Sequence, residues 1–275
     1  MADDRKTEME AVLRKQRAAH HQMRPEPMAL RKDRIQRAMK LLTDHADDLC
    51  KVMAADCGNR SPHQSMITDI AGTVNFCKYC LKHMDKWSRP VQRHVHFPLG
   101  LLGSKSDVRY ELKGVCRLLS PWNFPLAIFT GQVAAALAAG NAVIAKPAEQ
   151  TSLLAVRAVE LMHQAGIPED AVQLLPVTGS TVGAALTSDS RVSGVCFTGS
   201  TATAQRINKV MTENMTPDAP LVAETGGLNA MIVDSTALPE QVVRDVLASS
   251  FQSAGQRCSA LRMLYVQKDI ADGLL

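Results

Sequence analysis

Between Arg117 and Lys146 the chain runs for 28 residues without a charge. A stretch of that length must leave water, and by length alone it is a candidate membrane span. It is broken, however, by Pro121, Asn123, Pro125, Gly131, Gln132 and the pair Gly140-Asn141. Their backbone requirements divide it into a strand, a turn, a short buried helix and a second strand. The stretch therefore predicts the centre of a soluble α/β core, with no integral membrane segment.

The residues on either side extend that reading. Short apolar runs at Val115–Leu119, Ala142–Ala145, Val172–Leu175 and Val192–Phe197 alternate with amphipathic patterns near 126–139, 151–165, 181–187 and 201–213. Such alternation predicts an α/β fold with a parallel sheet flanked by helices on both faces. Ligands of such sheets collect at the carboxyl ends of the strands. Upstream the pattern is helical. Thr7-x-x-Glu10 and Ser61-Pro62-x-Gln64 have the form of capping boxes, predicting helix starts at both places. Ile35, Met39, Leu42, Ala46, Leu49 and Met53 recur every three or four residues, as on the buried face of one long helix. From His94 to Leu112 the period changes to two, through Val95, Phe97, Val108, Tyr110 and Leu112, with Gly100 and Gly103 between. This predicts a hairpin which, being marginal alone, packs on something else, such as another subunit.

Charge and cysteine content exclude several functions. Residues 1–120 carry a net +8 and residues 121–275 a net −4. The cations of the first part are interleaved with acids, as at Arg31, Lys32, Asp33 and Arg34, and no aromatic stacking series accompanies them. A solvated helical surface is therefore expected, and no nucleic-acid partner. Seven cysteines at irregular spacing, and no apolar segment after Met1, fit a reducing cytoplasm without disulfides. Cys77-x-x-Cys80 has no second pair and His94-x-His96 no partner motif, so no metal site is expected.

The chemistry follows the strands. After the first comes Ser120-Pro121-Trp122-Asn123-Phe124-Pro125. After the second comes Lys146-Pro147-Ala148-Glu149, which brings a cation and a carboxylate to one sheet edge. After the fourth, Thr198-Gly199-Ser200-Thr201 opens a helix whose free N–H groups suit a phosphate. Thr-Gly-Ser-Thr also occurs at 178–181, yet neither copy forms an ordinary dinucleotide fingerprint or P-loop. Further on stand Glu224-Thr225-Gly226-Gly227 and Gly255-Gln256-Arg257-Cys258. Cys258 is the best nucleophile candidate of the seven cysteines, because the adjacent Arg257 favours thiolate.

In this order, these five motifs resemble those of the aldehyde dehydrogenase superfamily. Residues from about 120 onward are most similar to the glutamate-semialdehyde (pyrroline-carboxylate) dehydrogenase module of bacterial bifunctional proline-utilisation proteins. Residues 24–110 are similar to the coniferyl-aldehyde type. The resemblance implies NAD-dependent oxidation of an aldehyde to a carboxylic acid, with glutamate semialdehyde as substrate and a coniferyl-type aromatic aldehyde as the alternative. It implies Cys258 as nucleophile, Asn123 as oxyanion donor and Glu224 as general base. Lys146 and Glu149 would hold the adenosine ribose, Gly199 and Ser200 the pyrophosphate, and Gly179 would border the adenine, with Pro121 and Trp122 lining the same cleft. It further implies an aldehyde dehydrogenase-like fold, with a Rossmann-like NAD-binding part over 1–228 that includes the N-terminal helices and hairpin, and the start of an incomplete catalytic domain over 229–275. Full-length relatives homo-oligomerise through a C-terminal strand, and they continue well past the position matching Leu275. The chain is accordingly expected to be a truncated member, with a non-catalytic remnant as the alternative to an enzyme. Its last strand, Arg262–Gln267, is expected to leave an open sheet edge and an uncovered apolar face.

Overall fold

The computed structural model describes residues 2–22, 26–58, 60–176, 178–179 and 184–274, except for the side chains of 2–6 and 184–185. The chain opens with helices α1 (Ala2–Gln22), α2 (Met28–Asp44), α3 (Ala46–Cys57) and the short α4 (Pro62–Gln64). A π-helical segment (Ser65–Ala71) leads into α5 (Gly72–Trp87). Strands β1 (Val91–Arg93) and β2 (Ser106–Val108) follow, then β3 (Val115–Leu119), α6 (Ala127–Ala138), β4 (Ala142–Lys146), α7 (Ser152–Gln164), β5 (Val172–Leu174) and α8 (Ala184–Thr187). The remainder is β6 (Gly194–Gly199), α9 (Thr201–Asn214), β7 (Leu221–Thr225), β8 (Asn229–Val233), α10 (Pro239–Phe251), β9 (Leu261–Val266) and α11 (Lys268–Leu274). Residues 181–183, where the third amphipathic pattern was expected to begin, lie outside the described residues.

The central sheet is parallel, in the order β5-β4-β3-β6-β7. The chain moves outward from β3 through β4 to β5, then crosses back to β6 on the other side of β3. The topological switch point thus lies between β3 and β6. Successive side chains alternate between faces. Leu118, Val143 and Ala145 pack with α2, α3, α5, α6 and α7 on one face. Val115, Ile144, Val195 and Phe197 pack on the other against Met9 and Leu13 of α1 and Ala204, Ile207 and Met211 of α9. Each fully buried Leu, Ile or Phe contributes roughly 1.5–3 kcal/mol. The uncharged stretch between Arg117 and Lys146 forms most of β3, α6 and β4 at the middle of this core, and among the described residues no helix is long and apolar enough to cross a membrane.

Several expectations are corrected in the N-terminal part. Ser61 does cap a helix, accepting from the Gln64 N–H, with Pro62 in the first turn. Thr7 and Glu10, by contrast, lie well inside α1, which begins at Ala2. The single long helix through Ile35 and Met53 is two helices meeting at His45 (φ −114°), although Ile35, Leu42, Leu49 and Met53 are all buried as the spacing required. The charged run is not wholly a solvated face: Arg34 is buried and pairs with buried Glu26 at 2.6 Å. Along α5 the rings of Tyr79, His83 and Trp87 touch in turn, Tyr79–His83 tilted with centroids 4.2 Å apart and His83–Trp87 stacked at 5.8 Å. The hairpin pairs Val91–Arg93 with Ser106–Val108 and is exposed throughout. Val95, Phe97, Tyr110 and Leu112 fall outside its strands.

Past β7 the surroundings change. β8 and β9 form a parallel two-stranded sheet of their own. Val222 on the edge strand β7 and Leu228, Ile232, Leu247, Phe251, Met263 and Tyr265 beyond it are all exposed, so this end of the chain presents an open sheet edge and an apolar surface.

Candidate active site

The strand ends at the switch point set the geometry. After β3, the Ser120–Pro125 turn carries Trp122 and Asn123 over the sheet. After β6, Ser200 caps α9, its hydroxyl accepting from the Thr203 N–H at 3.2 Å. The two ends are tied by Gln132, the one amide side chain of α6. It accepts from the Ser120 hydroxyl at 2.8 Å and donates to Thr198 Oγ1 at 3.1 Å. A Cβ at Gly199 would stand 2.5 Å from Cζ of Phe197, so any larger residue there would have to displace the ring.

Pro121, Trp122, Asn123, Gly199, Ser200, Glu224 and Cys258 line one cavity of about 570 Å³. Residues from three loops and the edge strand β7, distant in sequence, thus converge on one space. Cys258 and Glu224 are both exposed to it. Asn123 spans the gap, its Nδ2 donating to the main-chain oxygen of Gln256 at 2.9 Å and its Oδ1 accepting from the Phe124 N–H at 3.1 Å. A carboxamide nitrogen has two N–H groups, so one remains for a second acceptor.

The loop that carries Cys258 has three consecutive residues with left-handed backbone: Ser253 (φ 59°), Ala254 (φ 54°) and Gly255 (φ 66°). Only the last is a glycine, and a Cβ on it would meet the Ser250 oxygen at 2.7 Å. The two non-glycine positions cost about 1–2 kcal/mol each. Main-chain and side-chain contacts hold the loop against that cost: Arg262 donates to the Gly255 oxygen at 2.6 Å, and Gln64 bonds the Ser253 hydroxyl.

The role expected of Arg257 is corrected. Its guanidinium turns to the end of α10, donating to the Ser249 and Ala248 oxygens at 2.8 and 3.2 Å and to Gln252 Oε1 at 3.1 Å. It acts as a C-terminal cap, not as a charge directed at the Cys258 thiol. Burial distinguishes the cysteines instead. It pushes Cys77 up to about 12, and Cys116 and Cys196 up to about 11.

A second cavity of about 460 Å³ adjoins the first at Thr198 and is lined by Lys146, Gly179, Phe197, Thr203 and Ile207 together with Arg117 and Arg206. Its lining holds three cations and, among the described residues, no carboxylate, which suits a ligand with a polyphosphate. Glu149 stands at its border, accepting from the Gly179 N–H at 2.8 Å. Burial lowers the Lys146 pKa, an effect opposed by Glu149 and reinforced by Arg117. Arg117 itself, almost wholly buried, is pushed down to about 10 by desolvation and remains charged at neutral pH.

Sequence reasoning missed four residues. Arg117 was visible as the single charged residue of an apolar strand and Gln132 as the one amide of an apolar helix. Arg60 and Asp69 gave no local signal, because they reach the site only across the fold: Arg60 donates to the Asn123 oxygen at 3.0 Å and to Asp69 Oδ2 at 2.6 Å. Among the described residues no cluster of His, Cys, Asp and Glu could hold a metal ion.

Known proteins resemble this chain in sequence and in fold. The model of the aldehyde dehydrogenase family matches residues 1–275. The chain is 48% identical over 244 residues to the bifunctional protein PutA of Klebsiella aerogenes, a match that covers 88% of the chain and 17% of that protein. It is 31% identical over 265 residues to coniferyl aldehyde dehydrogenase of a Pseudomonas strain, covering 96% of the chain and 53% of the relative. The crystal structure of PnpE in complex with nicotinamide adenine dinucleotide superposes with a TM-score of 0.88 at 29% identity, over 97% of this chain and 53% of that one. The chain thus spans about half or less of the length of these relatives.

Proposed function

The chain belongs to the aldehyde dehydrogenase family, and from that premise we propose that its site oxidises an aldehyde to a carboxylic acid with NAD, glutamate semialdehyde being the favoured substrate. The observation that carries the proposal is the convergence of Cys258, Asn123 and Glu224 on one cavity at the switch point of a parallel sheet. In this reading Cys258 attacks the aldehyde carbon, and the remaining Asn123 N–H holds the oxyanion of the thiohemiacetal. NAD, when bound, supplies the hydride acceptor. Glu224 then takes a proton from water, which attacks the Cys258 thioester and releases the acid.

The residues present fit the cofactor. The cationic cavity would take the pyrophosphate beside Gly199 and Ser200, and Lys146 and Glu149 would hold the ribose hydroxyls, with Gly179 bordering the adenine. Pro121 and Trp122 would wall the nicotinamide side. Residues 1–228 would then form the cofactor-binding part and 229–275 the opening of the catalytic domain. The 48% identity to PutA, against 31% to the coniferyl enzyme, favours glutamate semialdehyde over an aromatic aldehyde.

The test is NADH formation by the purified chain with glutamate semialdehyde and with coniferaldehyde, beside Cys258→Ala. NADH formation above the level of Cys258→Ala, and faster with the semialdehyde than with coniferaldehyde, is the expected result. NAD binding without turnover would favour a non-catalytic remnant and overturn the proposal.

A further inference from the structure

We infer that Arg60 is a positioning residue for the oxyanion site, setting the orientation of the Asn123 carboxamide through the peptide plane that follows it. The inference rests on the proposed roles of Cys258 and Asn123.

The Arg60 side chain is one-tenth exposed, and each of its three nitrogens donates a hydrogen bond. It donates from Nε to Ser65 Oγ at 3.2 Å, from Nη1 to the Asn123 oxygen at 3.0 Å, and from Nη2 to Asp69 Oδ2 at 2.6 Å. Asp69 is completely buried, and its other oxygen accepts from the Leu126 and Ala127 N–H groups at 3.2 and 3.0 Å, at the start of α6. One buried ion pair therefore fixes both ends of the Asn123–Leu126 turn.

The coupling to chemistry comes from peptide geometry. The oxygen of Asn123 and the N–H of Phe124 belong to one rigid plane. Arg60 holds that plane by its oxygen, and the N–H on its opposite edge holds Asn123 Oδ1 at 3.1 Å. Fixing the carboxamide oxygen aims its nitrogen at the Gln256 oxygen, two residues before Cys258. Without Arg60 the plane is free to turn, and the carboxamide turns with it. Oxyanion stabilisation depends on donor placement to a fraction of an ångström, so the loss should be felt there first.

Two reactions of Cys258 separate positioning from mere stability. With 4-nitrophenyl acetate the thiolate attacks the ester carbonyl through a tetrahedral oxyanion, forming a thioester and expelling nitrophenolate. With iodoacetamide the same thiolate displaces iodide and no oxyanion forms. Neither reaction needs NAD. Both are followed on the full chain by mass spectrometry at Cys258, with Cys258→Ala as baseline. Arg60→Met should slow acylation roughly ten- to a hundredfold and leave alkylation within about twofold. In an Asn123→Ala background it should slow acylation no further, because Arg60 acts through Asn123. Arg60→Lys, which keeps a charge for Asp69 but not the fork, should fall between, and it serves if Arg60→Met does not fold. Equal slowing of both reactions, or additive effects in the double variant, would overturn the inference. If Asn123→Ala slows acylation and both Arg60 variants do not, only the inference falls. If Asn123→Ala leaves the ratio of the two rates unchanged, or Cys258→Ala still acylates, the proposed function fails and the inference with it.

Discussion

Replacing Asp69 with alanine should be among the most damaging single changes in the chain, and its cost follows from the bonds that the carboxylate makes. The group is fully buried and accepts four: from Arg60 Nη2 at 2.6 Å, from Thr68 Oγ1 at 2.9 Å, and from the N–H groups of Leu126 and Ala127 at 3.2 and 3.0 Å. Its removal leaves a nearly buried guanidinium without its counter-charge, which costs about 3–5 kcal/mol. It also leaves two N–H groups at the start of α6 without an acceptor, at about 1–3 kcal/mol each, although water entering the vacated space offsets part of this. A net loss of roughly 4–5 kcal/mol corresponds to a fall in Tm of about 10–15 °C for a chain of this size. Asp69→Asn keeps an oxygen for the two amides but turns a neutral group toward Arg60, and should lose about 2–3 kcal/mol. Urea denaturation followed by far-UV circular dichroism measures both. The Arg60→Met/Asp69→Ala pair should be more stable than Asp69→Ala alone, since no unpaired charge then remains. A loss below about 1 kcal/mol in Asp69→Ala, or a double variant less stable than the single one, would refute this account.

Three further outcomes are expected. Brief iodoacetamide treatment should label Cys258 before the other thiols, because it is exposed while burial raises the pKa of each of the other six; peptide mapping that finds the exposed Cys57 or Cys196 labelled first would count against it. Calorimetric titration should find NAD bound more tightly than NADP, because Glu149 at the border of the cationic cavity accepts from a ribose diol and repels a 2′-phosphate, and Glu149→Gln should narrow the difference. Stability should fall as the pH rises from about 9 to about 11: the Cys116 thiol stays protonated to about 11 in the folded chain and ionises near 9.0 when unfolded. Unfolding therefore releases a proton in that window, worth on the order of 1–3 kcal/mol. Denaturant midpoints across the window should show the slope, reduced in Cys116→Val.

The strands and helices of the central sheet were legible because their signals are local. Val115–Leu119 is β3 to the residue, and α6, α7 and α9 lie within one or two residues of their predicted limits. The N-terminal half was less legible. Continuous periodicity from Ile35 to Met53 does not register a break at His45 that moves the axis but keeps the buried face. The hairpin period misled for the opposite reason: alternation marks a strand only where one face is covered, and here both faces are exposed. Arg257 shows the limit of adjacency, because neighbours in a loop point their side chains apart, and a helix end took its guanidinium.

The sequence by itself determined the sheet, the places where chemistry is carried and the family resemblance, since each rests on residues close together in the chain. The tertiary structure alone decided which of those places meet. The strand order put the ends of β3 and β6 side by side, and Gln132 joined them. Arg60 and Asp69, more than fifty residues from Asn123 and Leu126, became part of the site for the same reason. A buried ion pair finds its partners through packing, which brings together residues that no spacing in the sequence relates.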